Sequence, residues 1–149
     1  MKQNRPISLK MDPDTYYVWV GGSCDYAHDE RAGAGSYIID YNGGIYDTYT
    51  LSDFSTTEFR MMLSVMLHAL VTLPENSRIV FLTNVSYIQQ NFDKEPTEKS
   101  ANADLIRQIL PAIERHASVS VKLVPYHKYS RMEETHERSH RAMAELRLK

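Results

Sequence analysis

Hydrophobic positions along the chain follow two periods, and the switches between them mark out its elements. Tyr16 to Val20 (YYVWV) is an unbroken aromatic and β-branched run ending at Gly21-Gly22. Such a run predicts a strand covered on both faces, hence a central one, that stops at a glycine turn. Gly33-Ala34-Gly35 opens a second strand through Tyr41, and Asn42-Gly43-Gly44 is a hairpin signal, because Asn-Gly tolerates the positive φ such turns need. Ile45 to Leu51 alternates and reads as the third strand of a meander. Arg78 to Asn84 (RIVFLTN) and Val119 to Tyr126 (VSVKLVPY) are two more apolar runs, the last closed by Pro125.

Between these runs the period becomes helical. Ser55-Thr56-Thr57-Glu58 has the spacing of a capping box, and Phe59, Met62, Leu63, Met66 and Leu70 follow at helical intervals as far as Leu73. Val85 to Phe92 predicts a short helix, and Asn102 to Ala117 a longer one that Pro111 should kink or break. Ser130-Arg131-Met132-Glu133 is a second capping-box pattern, opening a final helix with Met132, His136, Ser139, Met143 and Leu146 as its inward stripe. Crossovers between the later strands imply parallel pairing. The expected fold is α/β, a five-stranded mixed sheet (antiparallel meander, then parallel strands) with helices on both faces. Residues 1–14 read as a flexible lead-in, with a short edge strand at Ile7 to Leu9, and residues 15–149 as one domain.

Composition narrows this picture little. A net charge of -2 and a pI near 6.3 argue against phosphate binding by the whole surface and leave room for a local basic patch. A single cysteine, Cys24, excludes an internal disulfide and fits a reducing compartment. No apolar run reaches the roughly 18–20 residues a bilayer span needs. The expectation is a cytoplasmic protein without membrane contact, with a homo-oligomer left open.

Several segments, in order, resemble the ribonuclease H (RNase H) family. Gly21-Gly22-Ser23-Cys24 is similar to the Asp-Gly-Ser-Cys that ends the family's first strand. Ser55 to Leu63 resembles its Thr-Thr-Asn-Asn-Arg-Met-Glu-Leu helix start, and Thr83-Asn84-Val85-Ser86-Tyr87-Ile88 its Thr-Asp-Ser-x-Tyr-Val. Asn102 to Leu105 is similar to the start of a later helix, and Leu123 to His127 to Val-Lys-Gly-His. The resemblance implies an RNase H-like fold over most of residues 15–147.

It also implies where four metal-binding carboxylates belong. They fall on Gly21, Met62, Asn84 and Glu137, so one acid survives, longer by a methylene. A two-metal site holds Mg²⁺ ions about 3.5–4 Å apart and needs anionic oxygens to offset their repulsion. Glycine offers no ligand, a thioether suits hard cations poorly, and an amide is neutral. The expectation is therefore a catalytically degenerate member with no cofactor, binding an RNA–DNA hybrid, a structured or single strand, or a protein partner. Its nucleic-acid contacts would be Ser23, Cys24, Thr57, Arg60, Tyr126, His127, Lys128, Tyr129 and Arg131. The alternative is a Mg²⁺- or Mn²⁺-dependent nuclease with acids rearranged around Asp25, Glu133 and Glu137.

His136-Glu137-Arg138-Ser139-His140 is a literal HExxH, which on a helix places two imidazoles one turn apart for Zn²⁺. Only Glu145 follows it as an acid, too near for a distant third ligand, so a zinc hydrolase ranks third. The tyrosines at 37, 41, 46 and 49 read first as half-buried core, with an exposed aromatic sheet face for a protein partner as the alternative. Asp25 to Arg31 reads as a solvated loop, and His68 as structural.

Overall fold

The structure, a computed structural model, describes residues 9–27 and 29–148. The edge strand expected at Ile7 to Leu9 falls, but for Leu9, outside them. The order is β1 (Thr15–Cys24), β2 (Ala32–Tyr41), β3 (Gly44–Phe54), α1 (Glu58–Thr72), β4 (Arg78–Thr83), α2 (Ser86–Asn91), α3 (Ala103–Ile113), β5 (Ser118–Leu123) and α4 (Ser130–Arg147). The sheet runs β3-β2-β1-β4-β5. The first three strands are antiparallel, and β4 and β5 run parallel to β1. This is the expected mixed sheet with β1 at its centre.

Alternation along β1 sorts the two faces. Tyr16, Val18 and Val20 point into a core with α1 and α3, joined by Met62, Met66, Leu70, Phe81 and Ile109. Tyr17 and Trp19 point the other way, into a smaller core with Leu82, Val124, Tyr129 and Met132 under α4. Helices thus cover both faces, and β1 is apolar at successive positions because each side chain meets one of them.

Several boundaries differ from expectation. β1 does not stop at Gly21-Gly22; pairing with β2 runs on to Cys24 opposite Gly33. The cap of α1 is Thr57, whose hydroxyl accepts from the Arg60 amide at 3.1 Å, not Ser55. Ser55 still donates its backbone N–H to Arg31 at 2.6 Å, so the chain has not yet left the sheet there. α4 has no side-chain cap from Ser130; Glu133 instead meets His127 Nδ1 at 3.1 Å. Thr135 replaces His136 on the buried stripe of α4, and Leu146 is only partly covered. α3 runs through Pro111 and ends two residues later at Ile113, short of the expected Ala117. β5 ends at Leu123, short of Pro125. The tyrosine face is split: Tyr37 is fully buried, while Tyr46 is exposed beside stacked Tyr16 and Tyr41.

A polar tie fixes the start of α4. Asp40 on β2 is buried and accepts from Trp19 Nε1 at 3.0 Å and from Arg131 Nε and a terminal Arg131 nitrogen, each at 3.0 Å. Bidentate geometry makes this a strong pair, and removing one partner leaves the other charge buried and unpaired. Arg131→Met should lower unfolding free energy by about 3 kcal/mol in urea titrations. Adding Asp40→Asn should recover at least half of that loss; a double variant no better than the single one would show that the pair is not what the substitution breaks.

Candidate functional site

The ends of β1 and β4 and the first turns of α1 converge. β1 pairs with β4 through Trp19 and Leu82; carrying that register two residues further sets Gly21 across from Asn84. Gly22 faces the other side, where an added Cβ would lie 2.7 Å from Met62 Cγ. Gly21 and Asn84, singled out separately along the chain, are therefore brought together, whereas Met62 packs against Gly22 on the opposite face of the sheet.

The fourth position is filled differently. Glu137 is exposed, and the residue of α4 that turns to the strand ends is His136. Its Nε2 is hydrogen-bonded to Asn84 Oδ1 at 3.1 Å, and its ring meets Tyr126 edge to face at 4.8 Å. Burial pushes the His136 pKa down, against a smaller opposing hydrogen bond with the Gly22 backbone, so the ring is neutral near pH 7. The packing residue behind it is Thr135, fully buried against Gly21.

Above this floor lies an open groove of about 620 Å³ lined by Ser23, Tyr126, His136, Glu137, His140 and Arg141. Burial raises the Tyr126 hydroxyl pKa, with the carboxylates of Glu133 and Glu137 adding to it. His127 is highly exposed on the rim, oriented by Glu133.

The other proposed contacts are placed apart from the groove or already engaged. Arg60 holds Asp104 through two hydrogen bonds at 3.0 and 2.7 Å, and that guanidinium pulls the Asp104 pKa down to about 2. Arg131 serves Asp40. Tyr129 is buried beside Trp19, its ring 5.5 Å away, with Lys128 Nζ 5.7 Å from the ring centre. Thr57 is spent on its cap, and Cys24 Sγ donates to the Thr56 carbonyl at 3.6 Å. Asp25 is not a solvated loop acid: it is mostly covered and pairs with Arg147 Nε at 3.3 Å. His68 is hydrogen-bonded to Tyr37 at 2.9 Å and stacked on Tyr49, a structural role.

Two residues near the site went unnoticed in the sequence. Thr135 was masked by the stronger His136 to His140 pattern. Glu58, taken only as a capping acid, lies one turn before Met62, its Cγ 3.2 Å from where a Cβ on Gly22 would be. Burial raises its carboxyl pKa. The spacing of four between Glu58 and Met62 was the available signal.

No family model matches the chain, and no curated protein matches it. A solved structure does. The crystal structure of LC9-RNase H1, a type 1 RNase H with the type 2 active-site motif, aligns with a TM-score of 0.73. Identity is 19%, over 91% of this chain and 75% of that one. The fold is RNase H-like.

At the positions where the resemblance would place metal ligands, the donor set does not suit a pair of divalent ions. Gly21 brings no atom, Met62 a buried thioether, and Asn84 a neutral oxygen already bonded to His136. Among the described residues no group of three or more His, Cys, Asp or Glu stands where it would hold a metal ion. The same bond to Asn84 occupies the His136 nitrogen that an HExxH zinc site would use.

The His136 environment has a pH signature. Its folded pKa lies below the unfolded value of about 6.5, so the unfolded chain binds the extra proton first as pH falls. Stability from this group is complete above that unfolded value and is lost as pH drops through it toward the folded one. Melting curves from pH 8 to pH 5 should show a decline that is shallower in His136→Gln. Identical profiles for the two proteins would refute a buried neutral imidazole.

Proposed function

We propose that this protein is a non-hydrolytic nucleic-acid-binding module of RNase H-like fold that holds an RNA–DNA hybrid or a single strand along the groove. One observation carries the reading: the groove keeps an aromatic ring and a guanidinium, Tyr126 and Arg141, beside a His136 ring bonded to the neutral Asn84 amide, and no carboxylate stands at Gly21 or Asn84 behind it. Tyrosine can stack on a base and arginine can pair with phosphate, neither of which needs a metal. Hydrolysis by two metals needs the anionic oxygens that these positions lack.

Of the contacts drawn from the sequence, Ser23, Tyr126, His127 and Lys128 lie on or beside the groove and belong to this reading. His140 and Arg141 join them. Arg60, Tyr129 and Arg131 do not, since internal partners hold them. Glu133 and Glu137 dilute the positive rim, so affinity should be modest and salt-dependent, in the micromolar range typical of non-specific contacts, about 10⁻⁴–10⁻⁶ M.

Fluorescence anisotropy on labelled hybrid, duplex and single strands tests this. Binding should be equal in Mg²⁺ and in EDTA, and no strand should be cut. Tyr126→Ala should weaken binding roughly five-fold or more, through a lost base stack. Arg141→Ala should lower the salt slope by about one. Cleavage in Mg²⁺ or Mn²⁺ that Glu137→Gln abolishes would establish the rearranged nuclease instead, and no binding to any strand would leave a protein-interaction scaffold.

A further inference from the structure

We infer that the floor of this site is not an emptied metal pocket but one closed by α4, so that no side chain, least of all a carboxylate, fits at position 21 while the helix stays where it is. A Cβ on Gly21 would overlap the Thr135 hydroxyl and lie 2.9 Å from Thr135 Cβ and 3.1 Å from the His136 backbone nitrogen. Ordinary carbon contacts sit near 3.5–4.0 Å. The obstacle is partly main chain, so a rotamer change does not remove it. An acid at position 21 and the helix at this height exclude one another.

The helix is held there from three directions. At the contact itself, Ser36 Oγ on β2 donates to the Thr135 carbonyl at 2.7 Å and lies 3.1 Å from Ser139 Oγ. Ser139 Oγ in turn approaches the Gly21 carbonyl at 3.3 Å. Ser36, Thr135 and Ser139 are all fully buried, so pulling the helix away would strand buried hydroxyls and carbonyls. At its start, Arg131 grips Asp40. At its end, Arg147 grips Asp25 and the Glu30 carbonyl. A tilt about either end must therefore break a charged tie.

This goes beyond the proposed binding role and does not rest on it: the floor is closed whether the groove holds a nucleic acid or a protein. It predicts that restoring acids leaves the site without metal.

The test is a double-mutant cycle in the full chain. Gly21→Ala should lower Tm by roughly 5–10 °C through overpacking. In a Thr135→Gly background the same substitution should cost less than half as much, because the side-chain half of the obstacle is gone. A second arm adds Asp at both strand ends, Gly21→Asp with Asn84→Asp, and titrates Mn²⁺ by electron paramagnetic resonance. Uptake no greater than wild type is expected, and failure of that variant to fold is the same steric result in stronger form. Wild-type Tm in Gly21→Ala, a loss that Thr135→Gly does not halve, or stoichiometric Mn²⁺ in the second arm would overturn the inference. None of these readouts depends on nucleic-acid binding, so this inference and the binding role fail separately.

Discussion

The contact between α4 and the C-terminal end of β1 governs most of what is distinctive in this molecule. A glycine at position 21 lets a helix approach a strand closely enough for hydroxyls to bridge them, Ser36 to Thr135 and Ser139 to Gly21. Once the helix sits at that height, Thr135 occupies the space beside the strand, and the next residue, His136, is swung toward β4. Its bond to Asn84 then follows from helix geometry, since successive residues on α4 point about a quarter-turn apart. The strand end, the helix and the β4 terminus thus form one packed unit. In that unit Gly21 and Asn84, two of the positions where the RNase H resemblance would place metal ligands, serve as packing and hydrogen-bonding partners.

Charge is organised by the same economy of internal pairing. Arg60, Arg131 and Arg147 face Asp104, Asp40 and Asp25, respectively. The first pair is exposed and contributes little, whereas the Asp40 pair is covered and carries a Trp19 hydrogen bond besides. These pairs explain how a chain with 17 basic residues can present a groove whose cations are few: much of the positive charge on the helices is matched within the fold. What remains at the groove is Arg141 on one wall, with the acids Glu133 and Glu137 close to the Tyr126 hydroxyl.

The sheet was legible in the sequence because its signals are local and strong. The apolar run at Tyr16 to Val20 marks a strand covered on both faces, and Asn42-Gly43 adopts the positive φ of its hairpin. Gly21-Gly22 was misread for a physical reason. Glycine signals both turns and close approach, and only the helices on either side decide between them; here Gly22 admits Met62 and Gly21 admits Thr135. Both capping boxes misled similarly. Spacing shows that a serine and a glutamate are able to reach one another, but Ser55 was still tied to Arg31 and Glu133 was drawn to His127. The resemblance singled out Gly21 and Asn84, which lie together at the strand ends, and also Met62, which packs on the far face against Gly22. The choice of His136 over Glu137 was not legible, because it turns on about a hundred degrees of helix rotation that no one-dimensional register contains.

A floor of this kind sets the physics of whatever lies on it. With a neutral imidazole, an amide and glycine backbone in place of bound cations, the floor offers hydrogen bonds and shape but almost no field. Attraction for a polyanion must then come from the rim, where Arg141 is solvent-exposed and screened by salt. On the proposed reading, the groove holds its strand by stacking and rim charge alone. The step that in a two-metal enzyme draws the scissile phosphate down between cations has no counterpart here, so a bound strand experiences no force toward the floor. Under that proposal, retention without cleavage would follow from where α4 rests.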